Sequence, residues 1–164
     1  MVIAVTGHRP PKLGGFGPDV FKRLVSLAGY ELTPYAPGNA EGDRVITGMA
    51  LGWDQAVAIA CIKLSIPFTA AVPCQGQENM WPESSRQLYW KILGHELCKM
   101  ELVTAAPYSP RLMQVRNEWM VDRADKILAL WDGSSGGTGN CVKYARAKGK
   151  PIDVCWDRWL VTVG

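Results

Sequence analysis

The stretch "DGSSGGTGN" (residues 132–140) holds four glycines, two serines and a threonine directly after the apolar run "KILALW". It lies between a predicted strand and a predicted helix, so unpaired N–H groups and the positive helix end face the loop. Glycine lets an anion approach such a backbone closely. A glycine-rich turn without a ligand is the alternative. We predict anion binding, with contacts from Gly136, Gly137 and Gly139 and side-chain donors from Thr138 and Asn140.

Three stronger motifs are excluded at this stretch. No Lys follows the glycines as a Walker loop requires, and the dinucleotide spacing G-x-G-x-x-G is absent. The segment Gly133–Gly137 does fit G-x-S-x-G, the nucleophile elbow of serine hydrolases. That chemistry needs a later histidine, and no histidine follows His95.

Two further loops bring polar residues to strand ends. "TGHRP" places Gly7, His8 and Arg9 after the first predicted strand, where they can face a ligand. In "TGMALGWD", Gly48 ends the second strand and Asp54 falls in the first turn of the next helix. A carboxylate there either caps the helix or accepts a hydrogen bond from a ribose hydroxyl. It would repel a phosphate, so the phosphate is predicted at the other glycine loop.

The helix "SPRLMQVRNEWMVDRAD" carries an arginine in an apolar face. At 100° per residue, Arg116 falls near the centre of the arc formed by the helix's apolar residues. A buried arginine is costly unless it is paired or serves a ligand. Side chains lean towards a helix N-terminus, which points Arg116 at the ligand edge. A structural ion pair is the alternative. Trp53 and Trp81 either stack on a base or pack in the core.

Composition limits the classes of function. The 164 residues are 48% hydrophobic with a net charge of +3, which fits one domain over residues 1–164 and gives no basic stripe for nucleic acid. No apolar run is long enough to span a membrane, and no secretory signal is recognisable. Five cysteines without C-x-x-C and two histidines form no zinc pattern. We expect a cytoplasmic protein without metal or cofactor.

The predicted elements alternate between strand and helix. Strands are predicted at residues 2–7, 44–48, 67–73, 100–105, 126–131 and 151–156, and helices at 18–30, 52–64, 82–98, 109–124 and 139–149. Apolar strands separated by helices indicate an α/β fold. The prediction is a single-domain, Rossmann-like three-layer sandwich with a mostly parallel sheet, whose strand-to-helix loops meet at one edge. The tail "DRWLVTVG" is expected to be an edge strand or a packing arm.

The quoted motifs, with "KYARAKGKPI", together resemble the YspA/YpsA-like branch of the SLOG superfamily over nearly the whole chain. That superfamily groups DNA-processing DprA/Smf proteins with LOG cytokinin-activating phosphoribohydrolases. The resemblance implies a Rossmann-like domain that binds nucleotides or nucleotide-derived ligands at the glycine loop. Members commonly self-associate, which leaves a homo-oligomer open.

The resemblance also implies roles for particular residues. Met113, Arg116 and Asn117 fall on the LOG motif M-x-x-R-K. "GGTGN" falls on P-G-G-x-G-T-x-x-E, where this chain has Ser135, Asn140 and Lys143 at the proline, threonine and glutamate positions. That glutamate is central to glycosidic cleavage in LOG enzymes, so its loss counts against hydrolysis.

Three functions remain as hypotheses. The first is a sensor or sequestering protein for a nucleotide or ADP-ribose-like ligand. The second is a LOG-like nucleoside monophosphate N-glycosidase, for which Asp54, Glu78 or Glu83 would replace the missing glutamate. The third is a DprA-like accessory protein for single-stranded DNA, and the weak positive charge counts against it.

Overall fold

A single sheet of parallel strands forms the centre of the fold in this computed structural model, which describes residues 1–38 and 44–163. The strands are β1 (Val2–Gly7), β2 (Arg44–Thr47), β3 (Phe68–Val72), β4 (Cys98–Leu102), β5 (Lys126–Leu130) and β6 (Ile152–Val154). The helices are α1 (Pro18–Leu32), α2 (Trp53–Lys63), α3 (Glu83–Leu93), α4 (Pro110–Arg123), α5 (Gly137–Ala147) and α6 (Trp156–Val163). The sheet order is β4-β3-β2-β1-β5-β6, and every neighbouring pair is parallel.

Helices cover both faces of the sheet, which explains why its central strands are mostly apolar. On one face, Leu24 and Ala28 of α1 and Val57 of α2 pack into the larger core. On the other face, Met120 of α4 and Cys141 of α5 belong to a second cluster. A strand buried on both faces cannot alternate polar and apolar residues. The predicted Rossmann-like three-layer sandwich is therefore confirmed.

The direction of the chain across the sheet reverses beside β1. From β1 the chain moves outward through β2 and β3 to β4, then returns to place β5 on the other side of β1. The β1 and β5 strands stay in register up to Gly7 and Leu130. The loops that follow these two strands diverge to opposite faces, and such a switch point opens a crevice for ligands.

The C-terminal tail is a helix that packs on the core, so of the two alternatives the edge strand is wrong and the packing arm is confirmed. Trp159 of α6 is 2% exposed and packs into the larger core, while Val161 is 81% exposed. Arg158 donates from Nη2 to Glu31 Oε2 of α1 at 3.0 Å, which ties the helix to the body. These contacts with α1 outweigh the β propensity of the tail's branched residues.

Two other boundaries differ from the predictions. The third helix ends at Leu93 and the fourth strand begins at Cys98, so part of the predicted helix forms a turn that contains Gly94 and His95.

Within the described ranges, no helix combines the length and apolarity needed to cross a bilayer.

We predict that Trp159→Ala destabilises the protein by about 3–5 kcal/mol, because it removes a buried ring and leaves a cavity. Leu160→Ala is the matched control, since Leu160 is 52% exposed. Its expected cost is within about 0.5 kcal/mol. Urea unfolding of both variants measures the difference, and equal costs would contradict the packing of α6.

Candidate functional site

A cleft of about 290 Å³ opens at the switch point, between the loops after β1 and β5 and the side of α4. Most of the predicted ligand residues line it, although they are distant in sequence. They are Gly7, His8, Arg9, Asp54, Arg116, Asn117, Gly136, Gly137, Thr138 and Gly139. The fold thus brings the loops after β1, β2 and β5 together with α4, the helix that carries Arg116.

Some predicted ligand and aromatic residues lie outside this cleft. Gly48 lies behind it and contacts Arg116, and Asn140 is an exposed residue of α5 whose N–H bonds to Gly136. Trp53 is fully buried in the core. Trp81 packs edge-to-face on Tyr89 at 5.3 Å between ring centroids.

Two of the three suggested replacement carboxylates also lie elsewhere. Glu78 accepts a hydrogen bond from Trp90 Nε1 at 2.9 Å, and Glu83 is exposed in the first turn of α3. Neither lines the cleft, whereas Asp54 does. Of the candidates for glycosidic chemistry, Asp54 alone is in position.

The glycines of the loop after β5 are required for different reasons. Gly133 (φ +91°) and Gly136 (φ +135°) have backbone conformations that other residues rarely adopt. A Cβ at Gly139 would lie 2.7 Å from the Ser134 carbonyl oxygen. Gly137 has neither constraint, since its φ is ordinary and a Cβ there would meet no atom within 4 Å. Its missing side chain leaves free space at the N-terminus of α5, where no side chain caps the helix.

Arg116 lies at the base of the cleft and is 4% exposed. Its Nη1 donates to the Gly48 carbonyl at 2.6 Å and the Ala71 carbonyl at 3.4 Å, and its Nε donates to Asn117 Oδ1 at 3.0 Å. A Cβ at Gly48 would overlap the guanidinium. Arg116 is therefore bound to backbone oxygens rather than to a carboxylate, and it still reaches the cleft.

Asp54 presents a carboxylate oxygen with no partner. It is 6% exposed, and its Oδ2 accepts a hydrogen bond from the Ala50 N–H at 3.3 Å. Among the described residues, its Oδ1 is buried and makes no hydrogen bond. Burial raises the pKa of Asp54 to about 6, against the opposing effects of Arg116, the Ala50 N–H and Arg9. Within the described residues, the carboxyl group thus fixes the loop before α2 and leaves one buried oxygen without a hydrogen-bond partner.

A polar network that was not predicted lies at the rim. The imidazole Nε2 of His8 lies 2.9 Å from Asp132 Oδ1 and 3.1 Å from the backbone nitrogen of Asp132. A protonated Nε2 donates to Oδ1, whereas an unprotonated Nε2 accepts from the backbone N–H. The Ser134 hydroxyl donates to Asp132 and accepts from Lys12 Nζ. Hydrogen bonds from Ser134 and from His8 hold the pKa of Asp132 below its usual range, while burial lowers that of His8. These bonds join the two loops and place a lysine at the rim.

Lys12 lines the cleft together with Arg9. Its position in "HRPPK", the same loop as His8 and Arg9, was the one sequence signal that could have identified it. Asp132 opens the glycine stretch, but no local pattern pairs it with a histidine in a distant loop.

Comparison with known proteins gives matches in both sequence and structure. The model of the YspA SLOG family matches residues 3–154. The SPbeta prophage-derived protein YoqJ of Bacillus subtilis is 36% identical over 119 residues, which cover 63% of this chain and 69% of YoqJ.

Two solved structures of DNA processing protein A share the fold. The Helicobacter pylori protein aligns with a TM-score of 0.65 and 18% identity over 94% of this chain and 64% of its own. The Streptococcus pneumoniae protein aligns with a TM-score of 0.62 and 15% identity over 92% of this chain and 48% of its own. The chain thus spans less than two thirds of either protein, and likeness at this identity is one of fold.

We predict that Asp54 makes stability fall as pH rises from about 4 to 6. Its pKa is about 6 in the folded protein against a reference of 3.8, so the folded state binds more protons in this range. Asp54→Asn removes this contribution. Urea unfolding of both proteins from pH 4 to 7 should show the wild type losing stability relative to the variant. A difference that does not change with pH would contradict the prediction.

Proposed function

The chain belongs to the YspA SLOG family, and we propose that its cleft binds a nucleotide or an ADP-ribose-like ligand without converting it, as a sensor or sequestering protein. One observation carries the proposal. Among the described residues, the same cleft holds a helix N-terminus at Gly137 that no side chain caps, and a carboxylate oxygen of Asp54 without a hydrogen-bond partner. A ligand with both a phosphate and a sugar hydroxyl complements this pair.

The phosphate belongs at the glycine loop. The first N–H groups of α5 have no side-chain cap, and the helix dipole favours an anion there. Gly137 allows the phosphate to approach the backbone, and Arg9 and Lys12 add positive charge at the same cleft. Asp54 lies in the first turn of α2, after a different glycine-containing loop, so it need not face the phosphate.

The sugar belongs at Asp54. A ribose hydroxyl can donate to its free Oδ1, and a hydrogen bond to a charged acceptor is among the stronger kinds in proteins. Arg116 favours the charged form of that carboxyl. The cleft volume of about 290 Å³ lies near the lower limit of about 300 Å³ for small-molecule pockets, which suits a ribose phosphate with the base at the opening.

Cleavage of the N-glycosidic bond is the second candidate, and the position of Asp54 favours it. A carboxylate beside the sugar can stabilise the positive charge that develops as the base leaves. Lys143, at the position of the LOG glutamate, is an exposed residue of α5. Hydrolysis would therefore depend on Asp54 without a second carboxylate from Glu78 or Glu83.

Binding of single-stranded DNA is described for the Helicobacter pylori DNA processing protein. Because the fold is shared, binding of single-stranded DNA is tested for this chain as well. Binding to the DNA backbone weakens steeply as salt rises, whereas a cleft specific for one nucleotide depends less on salt.

The proposal is tested by incubating the protein with a panel of nucleoside monophosphates, ADP-ribose, nicotinamide dinucleotides, their deoxyribose analogues and a single-stranded oligonucleotide. Mass spectrometry then follows the retained and the free pools. A ligand retained unchanged supports the binding role, and weaker retention of its deoxy analogue supports the contact with Asp54. Free base with ribose phosphate supports the glycosidase instead. Retention of the oligonucleotide alone, or of nothing, contradicts the proposal.

We predict that Gly137→Val weakens binding of the retained ligand by at least about tenfold, since its side chain occupies the space at the helix N-terminus. Gly29→Val in α1 is the matched control, because a Cβ at Gly29 also meets no atom within 4 Å and Gly29 does not line the cleft. Isothermal titration calorimetry measures both affinities. Equal affinities would place the phosphate elsewhere.

A further inference from the structure

The β4 strand forms one edge of the sheet, with β3 on one side and, in residues 1–38 and 44–163, no strand on the other. The Phe68 N–H donates to the Leu97 carbonyl, and the Val103 N–H donates to the Val72 carbonyl. Backbone groups in a ladder turn alternately to either side, so Lys99 and Glu101 also bond towards β3. Met100 and Leu102 therefore direct their N–H and C=O groups away from the sheet.

The side chains at this edge are suited to contact with another protein surface. Met100 is 51% exposed and Leu102 is 37% exposed, and Trp90 of the neighbouring helix α3 is 50% exposed. Their alternation with Lys99 and Glu101 places the two charged residues on the opposite face of the strand. Those charges form an ion pair of 3.1 Å within the strand.

We propose that β4 pairs antiparallel with β4 of a second copy of this chain, about a two-fold axis at Met100. In this arrangement, Met100 exchanges both of its backbone hydrogen bonds with Met100 of the second copy. In addition, the Leu102 N–H of each copy donates to the Cys98 carbonyl of the other copy. The Cys98 N–H keeps its bond to the His95 carbonyl at 3.0 Å. The two sheets become one continuous sheet, in which the β4 edge of each copy is covered.

The charges favour this register over the two symmetric registers whose axis lies one residue away. With the axis at Met100, each Lys99 lies directly opposite Glu101 of the second copy. An axis at residue 99 places lysine opposite lysine, and an axis at residue 101 places glutamate opposite glutamate. Like charges in directly opposed positions destabilise a strand pair, whereas opposite charges stabilise it. A two-fold interface requires that the same surface of both copies be complementary to itself.

The cleft stays open in this dimer. The strands β3 and β2 separate β4 from β1, and the cleft lies between β1 and β5. Ligand binding and dimerisation therefore use different surfaces, and the dimer does not depend on the proposed ligand.

The test measures the mass of the 164-residue chain by sedimentation equilibrium over a range of concentrations. Lys99→Glu places four like charges at the axis, and Glu101→Lys does the same with the opposite sign. Each variant alone should dimerise about tenfold more weakly than the wild type. An equimolar mixture should form a heterodimer, because each chain then faces its opposite charge. Since the ion pair within the strand is broken in both variants, only pairing between chains explains this rescue.

Backbone pairing is tested at the axis itself. Met100→Pro removes the outward N–H, a change that an edge strand tolerates, and it should abolish the dimer. Met100→Val keeps the N–H and should dimerise as the wild type does. Circular dichroism confirms that each variant is folded. A monomeric wild type, a dimer that ignores both charge variants, or a mixture without heterodimer would overturn the proposal.

Discussion

The buried guanidinium of Arg116 is the interaction on which the architecture of the cleft depends. A charge with so little solvent is stable only where hydrogen bonds and opposite charge replace water. Here the Gly48 and Ala71 carbonyls, Asn117 and the field of Asp54 supply that replacement. The arginine thereby joins the ends of β2 and β3 to α4. It also requires a residue without Cβ at position 48, so a glycine outside the cleft still determines its shape.

The electrostatics of the cleft follow from this arrangement. The Arg116 guanidinium at the base of the cleft and the side chains of Arg9 and Lys12 at its rim favour an anion. The carboxylate of Asp54 instead favours a hydrogen-bond donor. The rim is fixed by the hydrogen bond between His8 and Asp132 and by the one that Lys12 donates to Ser134, which connect loops more than a hundred residues apart in sequence. Such fixed polar groups reduce the ordering cost of binding.

The topology of the sheet separates two kinds of surface. Reversal of the strand order beside β1 opens the cleft at the carboxyl ends of β1 and β5, and β2 and β3 separate it from the β4 edge. The edges instead carry unpaired backbone groups, which favour association through the sheet. A protein of this fold can therefore assemble through β4 while each cleft remains accessible. The proposed binding at the one surface and the proposed pairing at the other rest on different physical interactions.

The sequence alone determined the parallel sheet, the edge at which its loops meet, and the presence of Arg116 on an apolar helix face. These follow from patterns within single elements, namely apolar strands, helical periodicity and glycines after a strand. Only the tertiary structure decided that the tail is a helix, that Glu78 and Glu83 lie outside the cleft, and that one oxygen of Asp54 has no partner. Burial and hydrogen bonding depend on which distant segments pack together, and α1, for example, holds Trp159 in a way that local propensity does not specify. That is why the type of site could be predicted, whereas the partners of its residues could not.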